Sequence, residues 1–364
     1  ALGVADARGA DWSEELAEAV GVPLEKLPRI VEVYARRLSR EGDGAAAGAF
    51  KRSARLALQS IARWVRPSGD LWIVKNKSDP ALRHGYESYS FHSQYNLLTA
   101  AALATAHRHA DDSVEERPCP AEIGGFALAI QPAFHKVFAN AGGLYLEIDT
   151  RADAQYNPTG LLRIHRRGVQ PQVSVSDGVS AGATYGLPTR PTRSLALGPG
   201  WRGADGVWHS LAAHDGTVLP DAEVRIGHES PDRVEFSVAY GGGLRGGATQ
   251  VKQLFTVTPF RVEVTDVVEG PITGCRQYFP LFATDGERST SITMAGRQAA
   301  VQHPDGSRQE YGAEGEGSAL VRLGIPEPSR NGALDAAYVE SATSTMRCAI
   351  RPIAPGESGS GSTR

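Results

Sequence analysis

The chain has 364 residues, of which 41% are hydrophobic and 22% charged, with a formal net charge of −3. That length holds two domains with sizeable cores, and that charge excludes a broadly basic nucleic-acid footprint. No apolar run approaches the roughly 20 residues of a membrane span, and Cys119, Cys275 and Cys348 stand far apart in no CxxC spacing, which excludes a disulfide scaffold or a thiolate zinc site.

In chain order, the start "ALGVADARGADW" shows no basic region followed by an apolar one and does not begin with Met. No signal peptide is read there, and localisation stays open between secreted, periplasmic and cytoplasmic. Residues 1–115 read as helical. Ser13 is placed to cap "SEELAEAVG". "LPRIVEVYARRLSRE" sets Ile30, Val31, Val33, Tyr34 and Leu38 largely on one face, and "AFKRSARLALQSIARWV" repeats the logic with Phe50, Ala54, Ala57, Leu58, Ile61 and Val65. A further helix is predicted over 93–110, anchored in a core by Leu97, Leu98, Ala101, Ala102 and Leu103. From about residue 120 the period becomes two: "DRVEFSVAYGGG", "TQVKQLFTVT" and "FRVEVTDVVEG" alternate apolar and polar residues between turn residues. The fold class expected is α+β multidomain, with an α-helical domain over 1–115, a large antiparallel β-sandwich over 116–355 and a Gly/Ser-rich disordered tail over 356–364.

Two stretches carry chemistry. The first is "GYESYSFHSQYNLL", residues 85–98. With Ser90 or Ser93 as helix cap, Tyr95 and Asn96 fall in the first turn, Gln94 beside them and His92 just before, while Tyr86 and Tyr89 lie on the approach. Polar side chains at a helix N-terminus are well placed to meet an anion. Ordinary helix packing is the competing reading, and it weakens for the whole cluster because burying many polar groups is costly unless all are paired.

The second stretch, "AFHKVFANAGGLYLEIDTRADAQYNPTGLLRIHRRG", covers residues 133–168 and contributes His135, Lys136, Asn140, His165, Arg166 and Arg167. Strict alternation in "LLRIHRRG" puts Arg163, His165 and Arg167 on one face, with Leu162 and Ile164 on the other. Guanidiniums beside an imidazole suit a carboxylate or sulfate; a solvated strand face is the alternative. "HRH" at 107–109 reads as a solvated helix end, "YGGGLRGG" at 240–247 as a hairpin connection, and Trp201 and Trp208 either stack on a sugar or pack in the core or a loop.

A helical part followed by an antiparallel sandwich, with Tyr, His and Asn on a helix and His and Arg on the first strands, resembles the heparinase II/III-like polysaccharide lyases of toroid-plus-sandwich design. The likeness is specific in "YESYSFHSQYNLL" and "HKVFANAGGLYLEID". It implies a partial α/α toroid, reduced or N-terminally truncated, because 115 residues hold fewer helices than that toroid needs. It also implies cleavage of an acidic, uronic-acid-containing polysaccharide by β-elimination, without metal or cofactor. On that reading Asn96, with Arg166 or Arg167, neutralises the sugar carboxylate, Tyr95 is the base or acid, and His92 or His135 is its complement. Tyr86, Tyr89, Gln94, Asn140 and His165 would bind substrate. Two other functions stay open. A glycoside hydrolase would draw paired carboxylates from Glu87, Glu147, Asp149 and Asp153, and a non-catalytic protein would only hold the glycan.

Overall fold

The computed structural model describes residues 27–72, 76–79, 93–131, 134–152, 157–169, 178–182, 191–214 and 222–357. The chain divides into two units, one of residues 1–73 with 89–122, the other of residues 74–88 with 123–364.

In the first unit, α1 (Leu27–Glu41) packs against both α2 (Gly44–Ala62) and α3 (Ser93–His109), and a single turn, α4 (Pro120–Ile123), ends the segment. Asp43 starts α2 by accepting a hydrogen bond from the Ala46 N–H at 3.0 Å, a side-chain N-cap. The helix contacts are made by small residues: Val31, Ala35, Ala47, Ala54, Ala57, Ile61, Ala102 and Ala106 are buried. Leu58, Val65, Leu97 and Leu98, expected to anchor these helices, are exposed instead. Close backbone approach favours the smaller side chains; at Gly48 even a Cβ would sit 2.6 Å from the Glu115 carbonyl. Among the described residues these three long helices do not make the expected α/α toroid, which needs a closed ring of helix pairs. None is long and apolar enough to cross a membrane. The helix expected after Ser13 lies outside the described residues.

The second unit is built from antiparallel strands. β1 (Gly124–Ile130), β2 (Lys136–Ala141), β3 (Leu144–Asp149) and β4 (Gly160–Arg166) form a four-stranded meander. β5 (Gly198–Arg202) and β6 (Trp208–Ser210) follow, then the long hairpins β7 (Glu223–Ser230), β8 (Arg233–Gly241), β9 (Gln250–Thr258) and β10 (Arg261–Glu269). β11 (Gly274–Thr284) precedes β12 (Ser291–Ala295), β13 (Gln298–Gln302) and β14 (Arg308–Glu314). The chain ends with β15 (Val321–Arg322), β16 (Glu327–Ser329), β17 (Gly332–Ser341) and β18 (Thr345–Ile353). An eight-stranded sheet runs β12-β13-β14-β18-β10-β9-β8-β7 and a six-stranded one has the path β15-β17-β11-β5-β6, with β16 paired to β17.

Alternation makes the layers. Val234, Phe236, Val238 and Tyr240 of β8 are buried while the residues between them are not, and β9, β10 and β18 repeat this. The buried face meets both smaller sheets in one core that includes Ala139, Leu146 and Ile164 on one side and Phe279 and Leu281 on the other. An isolated Leu161–Leu197 bridge links the two smaller sheets into a second layer. Burying each such large apolar side chain contributes about 1.5–3 kcal/mol. Tyr311 of β14 spans the layers, donating to the Pro280 carbonyl of β11 at 2.6 Å. The expected β-rich sandwich is therefore present, assembled from three sheets. All three cysteines are buried free thiols.

Candidate functional site

The strands β2, β3 and β4 present one face to the core and the other away from it. On the core face lie Val137, Ala139, Leu144, Leu146, Ile148, Leu161 and Ile164. On the opposite face, register sets Asn140, Tyr145 and His165 in one row across the strands, Phe138, Glu147 and Arg163 in the next, and Lys136 beside Asp149 in the third. The rings of Phe138 and Tyr145 stack at 6.2 Å, and those of Tyr145 and His165 at 6.1 Å. A register shift between Glu147 and Ile148 inserts Leu162 as an extra residue in β4, so that Leu161 and Leu162 are both buried and Arg163 and His165 keep the outer face. Strict alternation does not account for that pair of leucines; the bulge does.

Charges on this face are closely paired. Lys136 Nζ lies 2.5 Å from Glu147 Oε1 and 3.3 Å from Asp149 Oδ2, and Arg163 Nη1 lies 2.7 Å from Glu147 Oε2. Burial opposes ionisation of Glu147, but Arg163 and Lys136 outweigh it and hold the carboxyl down at about 2. Burial pushes Asp149 up, and Lys136 offsets only part of that. Burial also disfavours the Lys136 ammonium, yet Glu147 and Asp149 together raise its pKa. The two neighbouring carboxyls are thus shifted in opposite directions.

His135, just before β2, has φ 51° and is the one non-glycine residue at positive φ among the described residues. Its carbonyl accepts from both the N–H and the hydroxyl of Thr150, each at 2.7 Å, which holds the conformation. Such geometry costs about 1–3 kcal/mol and persists where the surroundings over-determine it.

The other expected residues are distributed as follows. Asn140 Oδ1 accepts from the Gly143 N–H at 3.0 Å and so closes the β2–β3 turn. Arg166 points its guanidinium at Glu357, at 2.5 and 2.9 Å, and at the Pro352 carbonyl, with the Phe260 ring 4.8 Å from its centre. Arg167 lies in the turn after β4, its N–H bonded to the Gly143 carbonyl. In the first unit, Asn96 sits in the first turn of α3 and its Oδ1 accepts from the Leu71 N–H at 2.7 Å. Gln94 and Tyr95 belong to the same turn, with side chains outside the described residues; Tyr86, Tyr89 and His92 lie wholly outside them, as do Glu87 and Asp153. Trp201 does not offer a sugar platform. It is fully buried, donates to the Arg245 carbonyl and stacks on His214.

Sequence reasoning passed over Tyr145 and the Lys136–Glu147–Arg163 pairing. The signal was there in "LYLEID": with Leu144, Leu146 and Ile148 assigned to the core, Tyr145 and Glu147 must share the other face.

No protein-family model matches the chain, and no curated protein matches it. Among solved structures, the heparan sulfate lyase HepC from Pedobacter heparinus is similar over 92% of this chain and 53% of its own, at 9% identity and a TM-score of 0.43. A heparinase III structure is similar over 94% of this chain and 56% of its own, at 10% identity and a TM-score of 0.41. An α-N-acetylgalactosaminidase from Bifidobacterium bifidum covers 46% of this chain and 33% of its own, at 10% identity and 0.31. The chain spans about half the length of the two lyases, and likeness at this level does not say what it acts on.

Proposed function

We propose that the protein cleaves a uronic-acid-containing polysaccharide by β-elimination, using the outer face of the β2–β3–β4 sheet. The observation that supports this reading is the Tyr145–His165 stack with Arg163 beside it on the same strand as His165. The proton next to a uronate carboxylate is too weakly acidic to remove until that carboxylate is neutralised. Arg163 and Lys136 are the positive groups of this face, and a sugar carboxylate would share them with Glu147 and Asp149. The His165 imidazole then takes the proton; the C–H pair becomes the new C=C bond, the C–O bond to the leaving sugar breaks, and the Tyr145 hydroxyl gives its proton to the departing oxygen. His135, held in strained backbone at the strand start, is a further candidate base. The α3 set, Tyr95, Asn96 and His92, is proposed separately for the same reaction type, and there Tyr95→Phe and His92→Ala should abolish the reaction.

A second reading rests on the carboxyls. Asp149, shifted up, and Glu147, held down at about 2, are displaced in the opposite directions that a glycosidase acid and nucleophile need. The two readings separate in one assay on a panel of acidic polysaccharides. Elimination leaves a conjugated double bond absorbing near about 235 nm, and hydrolysis leaves only new reducing ends. The expected outcome is a rise in absorbance that falls about 100-fold or more in Tyr145→Phe and His165→Ala. Reducing ends without absorbance, lost in Asp149→Asn, would replace elimination by hydrolysis.

A further inference from the structure

The outer face of the six-stranded sheet carries a cleft of about 420 Å³ that shares no residue with the face just described. Its walls are the segment 192–199, the turn Leu211–Ala213, and Arg276 and Tyr278 of β11. The size lies within the span of about 300–1,000 Å³ typical of small-molecule sites, at the lower end. Its lining contains two guanidiniums and no carboxylate, while Leu195, Leu197 and Leu211 give it an apolar floor and Ser194, Ser210 and Tyr278 bring hydroxyls to it.

Both arginines are held in place. The Arg276 guanidinium lies against two rings, 3.7 Å from the Trp208 centroid and 4.1 Å from that of Tyr338, and its Nε and Nη2 both donate to Glu340 Oε1, at 2.9 and 2.5 Å. Glu340 is its cross-strand partner, so Arg276 also ties β11 to β17. Arg193 is more telling. Its Nε donates to Glu327 Oε1 at 2.9 Å, and Glu327, only 2% exposed, is itself fixed by the N–H and hydroxyl of Thr192 at 2.7 and 2.5 Å. That leaves the terminal nitrogens of Arg193 without a hydrogen bond among the described residues. A guanidinium anchored through Nε and open at its outer edge matches the bidentate geometry of a carboxylate or sulfate.

We propose that this cleft is a second binding site, which takes one anionic sugar residue, its carboxylate or sulfate on Arg193 and Arg276 and its C–H face on the leucine floor. The assignment is independent of the elimination chemistry, since none of these groups takes part in it. Titration calorimetry of the full chain at low salt with glucuronate, glucosamine 6-sulfate and uncharged glucose tests it. At least one charged sugar should bind about tenfold or more tighter than glucose, and the better of the two identifies the anion. Arg193→Gln should weaken that binding about tenfold, the loss of one good charge-assisted contact. Because Arg193→Gln also loosens the Thr192–Glu327 cluster, Ala213→Trp, at an exposed position on the rim, serves as the second variant and should block the cleft. Equal binding of all three sugars, no binding, or wild-type affinity in both variants would overturn the proposal.

Discussion

Asp266 and Glu147 are both buried carboxyls, yet their surroundings drive them in opposite directions. Asp266 of β10 lies in the sandwich core with Gln253 and Gln277; Gln253 donates to its Oδ1 at 2.8 Å. Burial pushes the carboxyl up to about 7, against the pull of the two amides. Folding therefore favours the protonated acid, so this contribution is fully present below about 4 and is lost as pH rises to 7, a span worth roughly 4 kcal/mol. Asp266→Asn should equal wild type in urea unfolding at pH 4 and exceed it clearly at pH 8; parallel pH profiles would refute this. Glu147 works the other way: held at about 2, it stabilises the fold above about 4.5 by roughly 3 kcal/mol, and that is lost as pH falls through 2. Glu147→Gln should flatten the acid limb of the stability curve. Neither shift was legible in the sequence, because each depends on which strands become neighbours; "TDVVEG" and "LYLEID" look alike in charge and alternation.

Elements were read more successfully as strands than as helix faces. The period of two in "DRVEFSVAYGGG" and "TQVKQLFTVT" corresponds to β8 and β9, whose registered pair Phe236 and Phe255 stacks at 4.8 Å in the core. Helices were located well, and Val31, Ala54, Ala57, Ile61 and Ala102 are buried as read, but Leu58, Val65, Leu97 and Leu98 of the same predicted faces are exposed; much of the contact is made by alanine, whose weak hydrophobicity carries little periodic signal. The positive φ of His135 was not read from the sequence, where histidine marks that conformation far less clearly than glycine does. It does give a clean test of the element. His135→Gly should leave the β2 start intact and raise stability by up to about 1 kcal/mol, whereas His135→Ala should not, because a Cβ without a polar side chain gains nothing in the left-handed region. Thermal melts of the two variants decide it; equal melting temperatures would mean that the backbone relaxes when the imidazole is removed.

At the scale of the molecule, the sandwich depends on pairings far apart in the chain. β18 sits between β14 and β10, and β11 sits between β5 and β17; alternation names strands but does not say which of them meet. The same blindness affects Arg166. In "LLRIHRRG" it looks equivalent to its neighbours, but folding sends its guanidinium to the Pro352 carbonyl in β18, to Glu357 beyond the end of that strand, and over Phe260 in the β9–β10 turn. Its hydrogen bonds to Glu357 hold that carboxyl below its usual range even though Glu357 is largely in solvent. One side chain thus joins the four-stranded sheet to the eight-stranded one, a task that competes with neutralising a sugar carboxylate. Arg166→Gln separates the two roles. As a joint between layers its loss should lower the melting temperature by a few degrees, corresponding to about 1–2 kcal/mol for a lost charge-assisted hydrogen bond, with KM in the proposed reaction unchanged. A KM raised tenfold at an unchanged melting temperature would instead put Arg166 on the substrate, and would require that the guanidinium leave Glu357 when the polymer binds.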